Sequence, residues 1–150
     1  NIPCVSVSTL ESMAYNFLST DCIVCAVMDA RCSQVYNALF EIKNGVVTRL
    51  CDDRALSLDD LKNELLSVDG RIIIAGDGTD ITCKYIGNEI KNAESAPVNL
   101  KYQRASSTAL VAFEMINNGQ TVSAQELMPV YLRLPQAQRE LNKKLGGRTK

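Results

Sequence analysis

Residues 21–36 read Asp21-Cys22-Ile23-Val24-Cys25-Ala26-Val27-Met28-Asp29, then Ala30-Arg31-Cys32-Ser33-Gln34-Val35-Tyr36. Between the two aspartates every residue is apolar, with no alternation and too few residues for a typical helix. The run therefore reads as a strand buried on both faces, which belongs in the middle of a sheet. At Asp29 the polarity changes, and a short turn, Ala30 to Gln34, leads into a second strand from Val35. A loop at the end of a central strand is a common place for chemistry in open sheets.

Upstream, Ile2 to Val7 reads as a short strand entered through Pro3. Ser8 or Thr9 caps a helix from about Leu10, whose apolar face is Leu10, Met13, Ala14 and Phe17. Downstream, Val35 to Lys43 is a strand with Tyr36, Ala38, Phe40 and Ile42 on one side. Asn44-Gly45 is the favoured two-residue hairpin turn, and Val46 to Leu50 returns as its partner. Helices and strands then alternate. Ser57 caps a helix with Asp59 and Asp60 in its first turn and a stripe of Leu58, Leu61 and Leu65. Arg71 to Ala75 is a strand ended by Gly76-Asp77-Gly78, and Ile81 to Ile90 a helix with Ile81, Tyr85 and Ile86 inward. A polar loop precedes a last strand through Val98, Leu100 and Tyr102. Ser106 or Ser107 caps a helix to Ile116, closed by Asn117-Asn118-Gly119. Ser123 and Glu126 have capping-box spacing. The order predicts an α/β fold, a mixed sheet with helices on both faces, in the sequence of a ribonuclease H-like lobe. Order alone does not give function.

A chain of 150 residues fits one domain. With 16 basic and 17 acidic residues, formal charge -1, no global field recruits nucleic acid or a membrane surface. No run approaches the roughly 20 apolar residues that span a bilayer, and a signal peptide's basic start is missing, so the expected location is the cytoplasm. The chain opens on Asn1 within a strand-like run, which suggests a preceding portion. Of the six cysteines, four lie in or beside apolar runs, where Cys behaves as a small hydrophobe, so reduced thiols are expected. Cys22 and Cys25 have C-x-x-C spacing, but mid-strand they face opposite ways. The chain has no histidine, which removes His-based catalysis and imidazole zinc sites.

Asp29 has two readings, a metal or water ligand and a partner for Arg31 or the turn amides. Arg31 either grips a phosphate or carboxylate or braces its own turn. Turns that approach nucleotide phosphates favour glycine, and Ala30 to Gln34 contains none. Gly76-Asp77-Gly78 reads as an adenine seat or a strand-ending turn. Tyr36 and Tyr131 read as amphipathic core-edge residues rather than stacking platforms. No cofactor and no metal is expected.

Three segments in order, Val5-Ser6-Val7-Ser8-Thr9-Leu10-Glu11-Ser12-Met13-Ala14, then Asp29-Ala30-Arg31 with Val35-Tyr36, then Pro129-Val130-Tyr131-Leu132-Arg133, resemble signatures of one bacterial family. That family is TsaB, also called YeaZ, of tRNA threonylcarbamoyladenosine biosynthesis. The resemblance implies a lobe of the two-lobed actin, Hsp70 and sugar-kinase fold (ASKHA), the second lobe with its connecting strand and helix, the first lobe being absent. It implies a non-catalytic subunit acting with a TsaD-like catalytic subunit and a TsaE-like ATPase, with tRNA met indirectly and no membrane partner. Asp29, Arg31, Tyr36, Pro129, Tyr131 and Arg133 are then family-motif residues of structural or interface role. The alternative is an ATP-binding or hydrolytic enzyme of the glycoprotease-labelled kind, its site shared with the missing lobe. The expected organisation is a connecting strand and helix over 1–20, a ribonuclease H-like lobe over 21–133 and a basic tail over 134–150. From Arg133 onward six basic residues stand against one acidic, a composition suited to RNA phosphates, an acidic partner or solvent. A lobe lacking its companion leaves an apolar face, and the expectation is a homodimer through residues 2–17.

Overall fold

The computed structural model describes residues 2–132. Arg133 and the basic segment 134–150 lie outside the described residues. The all-apolar run is β1 (Cys22–Asp29), and it occupies the centre of the sheet. On one side it pairs antiparallel with β2 (Gln34–Lys43), from Cys22↔Ile42 to Asp29↔Val35. β2 turns at Asn44-Gly45, whose φ angles of 53° and 76° suit a type I′ hairpin, into β3 (Val46–Arg49). A strand not anticipated from the sequence, β4 (Arg54–Ser57), pairs with the other half of β2. The outer edge of β2 is thus shared by two short strands. At the break Leu39 N donates to the Cys51 thiol sulfur at 3.2 Å.

On its other side β1 pairs parallel with β5 (Ile72–Ala75), which in turn pairs parallel with β6 (Ala93–Ser95). The helices explain why β1 has no polar face. α1 (Thr9–Ala14), capped by Ser8 Oγ and prolonged by a 3-10 turn over Tyr15–Phe17, lays Leu10, Met13, Ala14 and Phe17 on Val24, Ala26 and Phe40. α2 (Leu58–Leu65), capped by Ser57 Oγ, lays Leu58, Leu61 and Leu65 on the opposite face, against Cys25, Val27 and Leu39. α3 (Thr79–Ile86) adds Ile86 to that second face. Alternate residues of β1 thus point into two apolar layers.

α4 (Ala105–Asn117) crosses α1 through a polar seam. Ser12 and Thr108 share a hydrogen bond of 2.6 Å, Ser107 Oγ donates to Asn16 Oδ1 at 2.6 Å, and the Tyr15 hydroxyl donates to Glu114 at 2.6 Å. Burial, and then the Glu114 carboxylate, push the Tyr15 phenol well above its ordinary value, so it remains a donor.

Several expectations are corrected. Ile2 to Val7 is not a strand of the sheet, since among the described residues its single bridge is Cys4 with Val122, 2.9 Å in each direction. No strand runs through Val98, Leu100 and Tyr102. Leu100 N donates to Pro97 O in a turn, and Asn16 Nδ2 takes the carbonyls of Leu100 and Tyr102, both at 2.9 Å. The edge strand is β6, in the segment read as a polar loop. Its residues Glu94 and Ser95 are exposed, so it carries no apolar alternation to find. α3 starts before Ile81 and stops at Gly87, which has φ 54°. Ile81 and Tyr85 are exposed, Tyr85 donating to Asp59 at 2.8 Å, and of the three expected core residues only Ile86 is buried. α4 begins at Ala105, ahead of both expected caps, and Ser107 bonds to Asn16 instead. The apolar face of α1, Leu10, Met13, Ala14 and Phe17, is buried against the sheet within the chain, while Ile2 is exposed. Among the described residues no helix is long and apolar enough to cross a membrane.

Candidate functional site

Met28 and Tyr36 face each other across β1 and β2 near the end of that hairpin. They form one wall of a cleft of about 450 Å³. Ser6 to Leu10, where the chain enters α1, form the second wall, and Pro129 to Leu132 the third, with Asp53 at the floor. The folded chain thus brings together Tyr36, Pro129 and Tyr131, three of the six singled-out residues, with the Val7 to Leu10 part of the first motif. Arg133, the next residue along, lies outside the described residues.

Asp53, which lines the cleft, is held by a charge network that the sequence did not reveal. Arg49 Nη1 reaches Asp53 at 2.6 Å and its Nη2 reaches Glu11 at 2.7 Å, with the guanidinium 4.7 Å over the Phe40 ring. Ser8 Oγ accepts from Glu11 N at 3.2 Å as helix cap and donates to Asp53 at 2.5 Å. Its proton and a lone pair are committed, which suits a brace between α1 and the residue preceding β4 better than a nucleophile. The signal available in the sequence was the placement of Arg49 opposite Phe40, which only the hairpin register exposes.

Asp29, the last residue of β1, and Arg31, in the turn to β2, do not line this cleft. Asp29 Oδ1 accepts from Arg31 N at 2.7 Å, and Arg31 Nη1 meets Asp29 Oδ2 at 3.1 Å. Arg31 is exposed and braces its own turn. Asp29 N donates to Asp77 Oδ1 at 3.1 Å, tying this turn to Gly76-Asp77-Gly78. The glycines there answer to the chain itself. A Cβ on Gly76 would stand 1.9 Å from Val27 O, and one on Gly78 3.1 Å from the Met28 carbonyl carbon. Among the described residues no group of three or more Cys, Asp or Glu is placed to hold a metal ion. Burial pushes the Cys25 thiol up, and those of Cys22 and Cys83 also lie above their ordinary value, chiefly through burial.

Arg31, Cys32 and Ser33 adopt φ of 65°, 54° and 55°, three left-handed residues in succession with no glycine among them. Each L-residue there costs about 1–2 kcal/mol. Replacing Ser33 by Gly is expected to stabilise the fold by up to about 1 kcal/mol, a rise of about 3 °C in Tm. Thermal denaturation checks it, and an unchanged or lower Tm would mean that the serine side chain holds the turn.

The TsaB of Bacillus subtilis (strain 168), a tRNA threonylcarbamoyladenosine biosynthesis protein, is 27% identical over 139 residues, which are 92% of this chain and 59% of that protein. Two solved structures from Pseudomonas aeruginosa are similar in fold. One is described as an uncharacterized protein with similarity to peptidase YEAZ (TM-score 0.65), the other as YeaZ (TM-score 0.62). Both are 20% identical, with 87% of this chain and 59% of theirs covered. No family model matches. The chain spans about three fifths of the length of the proteins it matches.

Proposed function

We propose, on the premise that this chain is a relative of the TsaB/YeaZ proteins matching their C-terminal lobe, that it serves as a non-catalytic subunit in tRNA threonylcarbamoyladenosine biosynthesis. In this reading it is a ribonuclease H-like lobe of the ASKHA type, working in the cytoplasm beside a TsaD-like catalytic subunit and a TsaE-like ATPase. Asp29, Arg31, Tyr36, Pro129 and Tyr131 shape a surface rather than carry out a reaction. The observation that carries the proposal is the cleft, where Tyr36 and two of the three separated motif segments meet around a braced floor.

The geometry favours this over the enzymatic alternative. Ser8 is committed as a cap and brace, the sequence has no histidine, and the Asp29 carboxylate is held by Arg31. Glycine at Gly76 is required by the approach of β1, and a side chain at Gly78 would be tight against Met28, so the packing of the chain itself accounts for both without a nucleotide.

The test has two arms. Replacing the matched part of Bacillus subtilis TsaB by this chain is expected to keep the modified adenosine in cellular tRNA, read by nucleoside mass spectrometry. A chimera that is soluble and folded but leaves tRNA unmodified counts against the proposal. In the second arm, ATP with magnesium is expected to leave the Tm of the isolated chain unchanged. A ligand at 100 times its Kd adds about 2.7 kcal/mol, so a rise of several degrees would restore the ATP-binding alternative.

A further inference from the structure

Ile2 to Val7 is composed like a strand, yet among the described residues it pairs only at Cys4, whose N donates to Val122 O and whose O accepts from Val122 N, both at 2.9 Å. Both backbone groups of Cys4 thus point at that neighbour, and in an extended chain those of the residues on either side point away from it. The segment runs without a turn or bend into Ser8, which is extended at φ -64° and ψ 127°. Val5 and Val7, with the Pro3 carbonyl, therefore form one free edge. Among the described residues no backbone hydrogen bond reaches either valine. We infer that this edge receives a strand from a second protein, an extended and uncharged segment that pairs with the backbone of Val5 and Val7.

Free backbone donors and acceptors that alternate along one side call for a strand, the mode in which main-chain pairing supplies affinity and side chains supply choice. The edge is short, because Pro3 has no N–H to give and α1 begins at Thr9. The same proline disfavours a second copy of this chain. Two such edges pairing antiparallel about Val5 would set each Val7 carbonyl opposite a Pro3 with no donor. Charge narrows the occupant further. Val7 also lines the cleft, whose described lining has no Lys or Arg, and whose single carboxylate, Asp53, is already taken by Arg49 and Ser8. A charged side chain brought there would lose water and gain no partner, and an RNA phosphate would find no cation. An uncharged strand meets neither cost. The strand site rests on backbone register and lining, so it stands apart from the tRNA reading.

Residue-resolved amide hydrogen exchange of the intact chain is the test, with the probe peptide acetyl-Thr-Val-Thr-Val-Thr-amide at about 5 mM. Alone, the chain is expected to exchange the Val5 and Val7 amides fast and the Cys4 amide more slowly. With the peptide, Val5 and Val7 should slow at least about 5-fold while Ser6, on the other side of the strand, stays unchanged. The same peptide with proline at its centre, and one with lysine in place of each threonine, should protect neither valine. Valines already protected without peptide, equal slowing of residues 5 to 7, or protection by the proline peptide each overturns the inference. So does protection that grows with the concentration of the chain itself, which would assign the edge to pairing between copies.

Discussion

Gly76→Ala is expected to lower stability by about 4 kcal/mol, combining backbone strain with forced overpacking, and most of the protein should lose solubility at growth temperature. The new methyl would lie 1.9 Å from Val27 O and 2.9 Å from Val27 C. Those are backbone atoms of the central strand, so no side chain can swing aside. The residue also sits at φ 119°, a region L-residues avoid. Gly70→Ala separates the two causes, because Gly70 also has positive φ, 89°, but nothing within 4 Å of a Cβ. That variant should cost only about 1–2 kcal/mol. Urea denaturation of both compares them directly. Equal losses would mean that β1 yields to the intruding methyl and that the close approach to Val27 is not what fixes the glycine.

Phe40→Ala is expected to cost about 3–5 kcal/mol, a fall in Tm of roughly 10–15 °C for a chain of this size. Phe40, on β2 beside Val24 of β1, is fully buried beneath α1 in a cluster that includes residues of the central strand. The loss should reach the cleft as well. Arg49 rests over the Phe40 ring at 4.7 Å while holding Glu11 and Asp53, so removing the ring removes the footing of the floor. Arg49→Met keeps the packing and breaks both part-exposed ion pairs, and its cost should stay near 1 kcal/mol. Should Arg49→Met prove the costlier of the two, the core would depend on the charge network rather than the reverse.

The sequence showed the strongly periodic parts and hid the parts decided by contact. The run Cys22 to Met28, the Asn44-Gly45 turn and the Ser57 cap each carry their own local chemistry, and they stand where they were expected. Val98, Leu100 and Tyr102 alternate as a strand should, yet Asn16 holds two carbonyls there and Pro97 turns the chain. Neither effect can be read from the alternation itself. β4 escaped notice because Cys51, Asp52, Asp53 and Arg54 look like a solvated loop. It is a strand because the outer edge of the first half of β2, whose inner edge is taken by β1, is left for it to pair with. Tyr36, Pro129 and Tyr131, singled out by their motifs, line the cleft. Arg49 became visible only when the hairpin register set it opposite Phe40, and Asp53 only when folding brought it to Ser8.

Both margins of the sheet are interrupted or brief. On one side β3 and β4 are four residues each and are split where the Cys51 sulfur, not a carbonyl, receives the Leu39 amide; on the other, β6 is three residues long. A foreign strand laid along either margin would find no long uninterrupted row of backbone donors and acceptors to copy. Crowding of these molecules at high concentration should therefore not propagate strand by strand into cross-β fibres from these edges.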